Sequence, residues 1–386
     1  MKLKLVLVTL LFFLVQPVFS AKIAQESKQE SGSGTADVQK SETKQETKEG
    51  EKKQEPKSES KPGEADKKEG DYKMDVKVPL TTLDFVLTDR HGSVLEMDLK
   101  EDEINDMLEV KEDGVPQKIT FFEPRDTRKS IVLLLDYSKQ AVIWSYYSNG
   151  DVWVGPFYLI NSLQDKDYIS IVTYDLVPRK QLDFTRNKDE AMETIRSLGN
   201  PMFSESNLSD AVWKVLDAIK DRKERMAVVL ISTGLDTFPR SGRSFEDEVL
   251  KRVANERVNF YTISIGNIFK IKMDPYLSAP ARLDLLVAEN RLKFLAEYSG
   301  GFFSAPRFEA EYPDIFKDIA ARLDKQYTIG YYPTNRNFNG KSRKIKVTVK
   351  KNYDINKDGK IDKNDEIRVV CKTEYFPGKT FKPDKH

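Results

Sequence analysis

Residues 130–140 read SIVLLLDYSKQ, and the fold turns on the first half of that stretch. Ile131 to Leu135 are apolar without alternation or gap. Such a strand needs cover on both faces, the condition of a central strand in a parallel sheet. The run stops at Asp136-Tyr137-Ser138, where a carboxylate and a hydroxyl appear at its carboxyl end. In open α/β sheets the loops at that edge converge and ligands bind among them. Asp136 is therefore the first candidate functional residue.

Three further stretches share the strand pattern: 168–174 (YISIVTY), 227–231 (AVVLI) and 258–265 (VNFYTISI). Between and after them, 189–198, 208–219, 244–256, 283–298 and 312–323 carry helical spacing. Leu208, Ala211, Val212, Val215, Leu216 and Ile219 are the clearest case, with Ser206 placed to cap their helix. The alternation predicts an α/β domain over 127–326, a doubly wound, mostly parallel sheet with helices on both faces.

Shorter alternating runs flank this domain. Residues 74–126 predict a small β module, with Leu83, Phe85 and Leu87 alternating and Asp- and Gly-bearing turns at 89–92 and 112–114. His91 reads as a turn residue, and the cluster Glu101, Asp102, Glu103 and Asp106 as a solvated face. Residues 327–386 return to β. Ile345, Val347 and Val349 alternate with lysines, and 369–376 is expected to pair with them as a hairpin. Cys371 reads as a small buried side chain within that second arm.

The 386 residues allow two or three domains, and 63 Lys+Arg balance 62 Asp+Glu for a net charge of +1. That balance argues against a nucleic-acid partner. One cysteine excludes an internal disulfide or thiolate cluster, and two histidines leave little for imidazole chemistry. Residues 1–21 read as a signal peptide, with Lys2 and Lys4 before an apolar run and small residues at 18–20; an uncleaved anchor is the alternative. Residues 22–73 are almost wholly polar and charged and read as a disordered linker. No later stretch has the length and apolarity of a membrane span. Together these predict an exported chain, periplasmic or extracellular, with no integral membrane domain after cleavage.

Asp136-Tyr137-Ser138-Lys139-Gln140 resembles the DxSxS signature of von Willebrand factor type A (VWA) domains. Ser206 to Ala211 resembles that family's threonine loop, and Ile231 to Asp236 its aspartate-glycine turn. The turn at Asp89, EDGVPQKITFF from Glu112, and YTIGYYPTN with GKSRKIKV resemble a bacterial exported subgroup of the family. The resemblance implies a metal-ion-dependent adhesion site with Asp136, Ser138 and Ser206 as ligands to Mg2+ or another divalent cation. It also implies a non-enzymatic role in binding. The pattern is degenerate: Gln140 stands for the second serine and Thr233 for the second aspartate. The competing reading is that Asp136 and Ser138 only cap loops.

A second cation motif lies at 354–365, DINKDGKIDKND. Asp354, Asn356, Asp358, Asp362 and Asp365 supply side-chain oxygens at positions one, three, five, nine and twelve, Lys360 a carbonyl, and Gly359 the sharp turn. This is EF-hand spacing with the dockerin-like aspartate at its close, and it predicts a structural Ca2+ loop at a hairpin tip. The alternative is a polar turn holding no ion.

The functional expectation is a binding or adhesion protein presenting the sheet's carboxyl-end loops to a protein or cell-envelope partner. An envelope assembly scaffold and a carboxylate-based hydrolase are the alternatives. The aromatics Trp144, Tyr146, Tyr147, Trp153 and Phe157 are read either as part of that surface or as packing of the first helix.

Overall fold

A computed structural model describes residues 79–146, 151–351, 353–355 and 358–378. The expected signal, the charged linker, the first residues of the β module and the loop residues Asn356 and Lys357 lie outside the described residues.

The chain enters through β1 (Thr81–Thr88), a short helix α1 (Ile104–Met107), β2 (Leu108–Glu112), β3 (Val115–Gln117) and β4 (Ile119–Glu123). The α/β domain follows. It runs β5 (Lys129–Asp136), α2 (Lys139–Ser145), α3 (Asp151–Ser162), β6 (Tyr168–Tyr174), β7 (Pro178–Thr185), α4 (Lys188–Arg196), α5 (Leu208–Ile219) and β8 (Arg225–Ser232). A π turn at Phe245–Val249 then leads into α6 (Leu250–Asn255), β9 (Val258–Ser264), α7 (Gly266–Met273), α8 (Ala279–Ser299), β10 (Phe302–Ser304) and α9 (Tyr312–Asp324). The module closes with β11 (Tyr327–Tyr331), β12 (Arg343–Val349), β13 (Arg368–Cys371) and β14 (Glu374–Tyr375).

The six-stranded sheet has the order β10-β9-β8-β5-β6-β7, parallel except for β7. Every residue of β5, β8 and β9 is buried, as expected of strands covered on both sides. Even-numbered Val132 and Leu134 face one core with α5, α6 and α8. Ile131, Leu133 and Leu135 face the other, with α3 and α9. At about 25 cal/mol per Å² of apolar surface removed from water, these two cores dominate the stability of the domain.

The antiparallel edge β7 was not foreseen. Its sequence, PRKQLDFT, is largely polar because only one of its edges is paired. Helix α3 was missed as well, since Gly155 and Pro156 interrupt its pattern. Gly155 is required there, because a Cβ would meet the Phe316 ring of α9 at 1.8 Å.

The flanking segments build two four-stranded sheets, β13-β1-β11-β4 and β14-β12-β2-β3, around a shared core of Leu83, Phe85, Leu108, Ile329 and Val347 among others. A buried Arg343–Glu112 pair at 2.9 Å, joined by the Tyr331 and Tyr375 hydroxyls at 2.8 Å each, links the sheets. The expected pairing of 369–376 with β12 is found for Glu374–Tyr375 and corrected for 369–371. β12 pairs with β2 and β14, whereas β13 pairs with β1 in the other sheet. The 350–367 segment is thus a crossing between sheets, because each arm finds a longer partner elsewhere. Buried Arg225, the first residue of β8, donates to the carbonyls of Gln326 (2.7 Å) and Pro124 (3.3 Å). The module therefore abuts the amino end of the parallel strands, leaving the carboxyl end clear of it.

Candidate functional site

Asp136 is the last residue of β5 and is fully buried. Its Oδ1 accepts hydrogen bonds from the Ser138 hydroxyl (2.9 Å) and amide (3.3 Å). Its Oδ2 accepts from the Thr233 hydroxyl (2.7 Å), the Thr233 amide (3.1 Å) and the Ser232 hydroxyl (3.3 Å). One carboxylate thus joins the loop after β5 to the loop after β8. Burial pushes its pKa above the ordinary aspartate range, and the donors of Thr233 and Ser138 pull against that rise. Ser138 also accepts the Ala141 amide as the N-cap of α2 (3.2 Å).

The sequence motifs therefore meet, and they meet as a lock. A cation cage needs several oxygen lone pairs aimed at one open point. Here the lone pairs of Asp136 are taken by five donors, and Thr233 donates where a second carboxylate would stand. Ser206 lies one layer away, buried, its hydroxyl beside Tyr174 but without a hydrogen bond of ordinary geometry. Both Asp136 oxygens are thus engaged within the chain, while the Ser206 hydroxyl has no hydrogen-bond partner among the described residues.

Several participants were not foreseen. The Tyr174 hydroxyl, buried at the end of β6, bonds the Ser232 hydroxyl at 2.8 Å, and burial raises its pKa well above the usual value. Asp236 turns away from the node to the Ser209 hydroxyl and amide at the start of α5. The cap of α5 is Asn207, whose Oδ1 takes the Asp210 amide at 3.3 Å; Ser206 instead accepts the Thr237 amide on its carbonyl at 2.8 Å. Neighbouring carboxylates are likewise engaged: Asp175 by Arg179 (2.8 Å), and Asp210 by Asn207 (2.8 Å) and Arg243 (2.9 Å). Serine, threonine and asparagine serve so many loop-capping roles that sequence spacing alone did not separate these positions from ligands.

Above the locked loops the rim is apolar and open. Met202, Phe203 and Phe238 are 61, 38 and 53% exposed. Their loops are tied to the site: Lys139 N donates to the Phe203 carbonyl (2.8 Å) and Phe238 N to the Ser206 carbonyl (3.2 Å). Of the aromatic insertion, Trp144 is core, stacked on Phe269 at 4.3 Å, and Trp153 bonds the Ser145 hydroxyl at 2.8 Å. Tyr146 is exposed, while Tyr147 lies outside the described residues.

The 354–365 segment folds around its own carboxylates. Asp354 accepts the amides of Asp358 (3.2 Å) and Gly359 (2.8 Å), and Asp365 those of Ile355 (3.0 Å) and Asp362 (2.9 Å). Gly359 takes a φ of +82°, which its lack of a Cβ permits. Asp365 is buried, Lys360 exposed. Among the described residues no three Asp, Glu, His or Cys side chains are gathered for a metal ion. All-oxygen donors suit calcium in kind.

No family model and no curated protein matches the chain. Solved structures do. Proximal thread matrix protein 1 from the mussel byssus aligns at 12% identity and a TM-score of 0.39 over 55% of this chain, which spans about half, 49%, of that protein. A structure of the same mussel protein has a zinc-occupied metal-ion-dependent adhesion site. The BatB protein of Bacteroides thetaiotaomicron aligns at 13% identity and a TM-score of 0.37, covering 50% of this chain and 98% of that one. A von Willebrand factor type A protein from Catenulispora acidiphila aligns at 10% identity and a TM-score of 0.39, covering 64% and 66%. The α/β domain is a mostly parallel six-stranded sheet flanked by helices, and segments 136–140, 206–211 and 231–236 meet at its carboxyl edge.

Proposed function

We propose that this chain is an exported, non-enzymatic binding protein whose carboxyl-end loops grip a protein or envelope partner without a bound metal. The observation that carries this reading is the saturated Asp136 carboxylate, which ties two loops together and leaves no lone pair for a partner or a nucleophile. Met202, Phe203 and Phe238 form the contact surface on those loops, an open apolar group of the kind that marks interaction sites. No helix among the described residues is long and apolar enough to cross a membrane.

We further infer that the 354–365 loop binds calcium in a structural role, stapling the crossing between β12 and β13. Asp354, Asn356, Asp358, Asp362 and Asp365 would hold the ion with the Lys360 carbonyl. Bound calcium would supply charge neutralisation among those carboxylates. The test is capture of envelope protein on immobilised chain, with and without chelator, for the wild type and Phe203→Ser/Phe238→Ser. Capture that survives chelation and is lost in the double variant fits the proposal. Equal capture by the rim variant, or release by chelator in an Asp358→Ala background, overturns it.

A further inference from the structure

At the amino end of the sheet, opposite the loop rim, three arginines converge on one ring. The guanidinium carbons of Arg128, Arg186 and Arg222 lie 5.9, 5.7 and 5.6 Å from the centroid of Tyr168. Topology puts them there. Arg128 precedes β5, whose Ser130 pairs with Tyr168 at the start of β6. Arg186 follows β7, which runs antiparallel so that its Thr185 pairs with Ile169. Arg222 comes off the end of α5, lies 3.9 Å over the Phe184 ring and donates to the Ser130 hydroxyl at 3.2 Å.

The counter-charge is small. Arg222 is paired with Glu224 through its Nε at 3.4 Å and donates to it through Nη2 at 3.5 Å, the one carboxylate it pairs with among the described residues. Arg128 and Arg186 are exposed, and neither makes an ion pair among the described residues. Like charges held around one aromatic ring repel one another, and a bound anion relieves that repulsion. Arginine forks match the planar edges of phosphate oxygens, and the ring stacking pre-orients them, so less freedom is lost on binding. A chain of near-zero net charge has no general field to gather anions, so this local concentration is specific to the place.

We propose that Arg128, Arg186 and Arg222 around Tyr168 form a phosphate-binding site, separate from the loop rim and independent of the function proposed above. Arg222 is the fixed floor, packed on Phe184, and Arg128 and Arg186 are the two arms that close on the oxyanion.

The test is titration calorimetry at low and moderate salt with inorganic phosphate and with long-chain polyphosphate as probes. Wild type, Arg128→Ala/Arg186→Ala and Arg128→Lys/Arg186→Lys are compared, with circular dichroism as the check on folding. The expected result is saturable, salt-sensitive binding that weakens at least tenfold in the alanine pair and less in the lysine pair. Binding of both probes assigns a free oxyanion, and binding of the polymer alone a polymer-borne phosphate; either supports the site. No binding of either probe at low salt, or equal binding by a folded alanine pair, overturns it.

Discussion

At Asp136 one buried carboxylate answers five donors, and its removal orphans them together. Asp136→Ala should cost about 3 kcal/mol in a denaturant melt, since buried donors keep their desolvation penalty when the acceptor goes. Asp136→Asn keeps the shape and one acceptor and should cost less. The pH dependence has a definite sign. Burial raises the folded pKa, so the folded state holds the proton more tightly than the unfolded one. The contribution of Asp136 is therefore complete below the unfolded value and is lost as pH rises through the folded pKa. Melts across that interval should show the advantage of wild type over Asp136→Asn shrinking with pH; a growing advantage contradicts the assignment. Cys371 offers a simpler check. It lies half-buried on the edge strand β13, paired with Phe85, and burial pushes its thiol up to about 12. A thiol reagent at neutral pH should label it slowly in the folded chain and faster on unfolding.

Among the elements, the loop after β8 is the tightest. Gly234 sits at φ +76°, and a Cβ there would meet the Ala288 carbonyl of α8 at 2.1 Å. Gly234→Ala should lower stability by about 3 kcal/mol and loosen the carboxyl-end loops, read as faster amide exchange at Thr233 and Leu235. The crossing loop makes the opposite kind of prediction. Calcium at ten times its dissociation constant should add about 1.4 kcal/mol of stability and a measurable rise in Tm, and Asp354→Ala should abolish the rise. An unchanged Tm at millimolar calcium leaves a polar turn. The four central strands and five helices were legible because uniform apolar runs and helical spacing are burial written into sequence. β7, α3 and the partners of β13 were not, because a polar edge, a Gly-Pro interruption and a choice between two sheets are decided by tertiary contacts.

Over the whole molecule, the parallel sheet holds two ends apart. The β module abuts the amino end through Arg225, and the loop rim crowns the carboxyl end. The sequence pointed to Asp136, Ser138 and Ser206; the structure joins Asp136 to Ser138 and to Thr233, the residue that departs from the family pattern. Three oxygen-bearing residues at family spacing describe a cation cage and a hydrogen-bonded lock equally well, and only the direction of each hydrogen bond separates them. On the lock reading the rim's binding is predicted to be chelator-insensitive, and on the calcium proposal the module is predicted to gain stability from calcium. The most direct test is calorimetric titration of magnesium into an Asp354→Ala/Asp358→Ala chain, which leaves the carboxyl-end loops intact. The account predicts no binding heat. A stoichiometric heat that disappears on adding Asp136→Asn would contradict it.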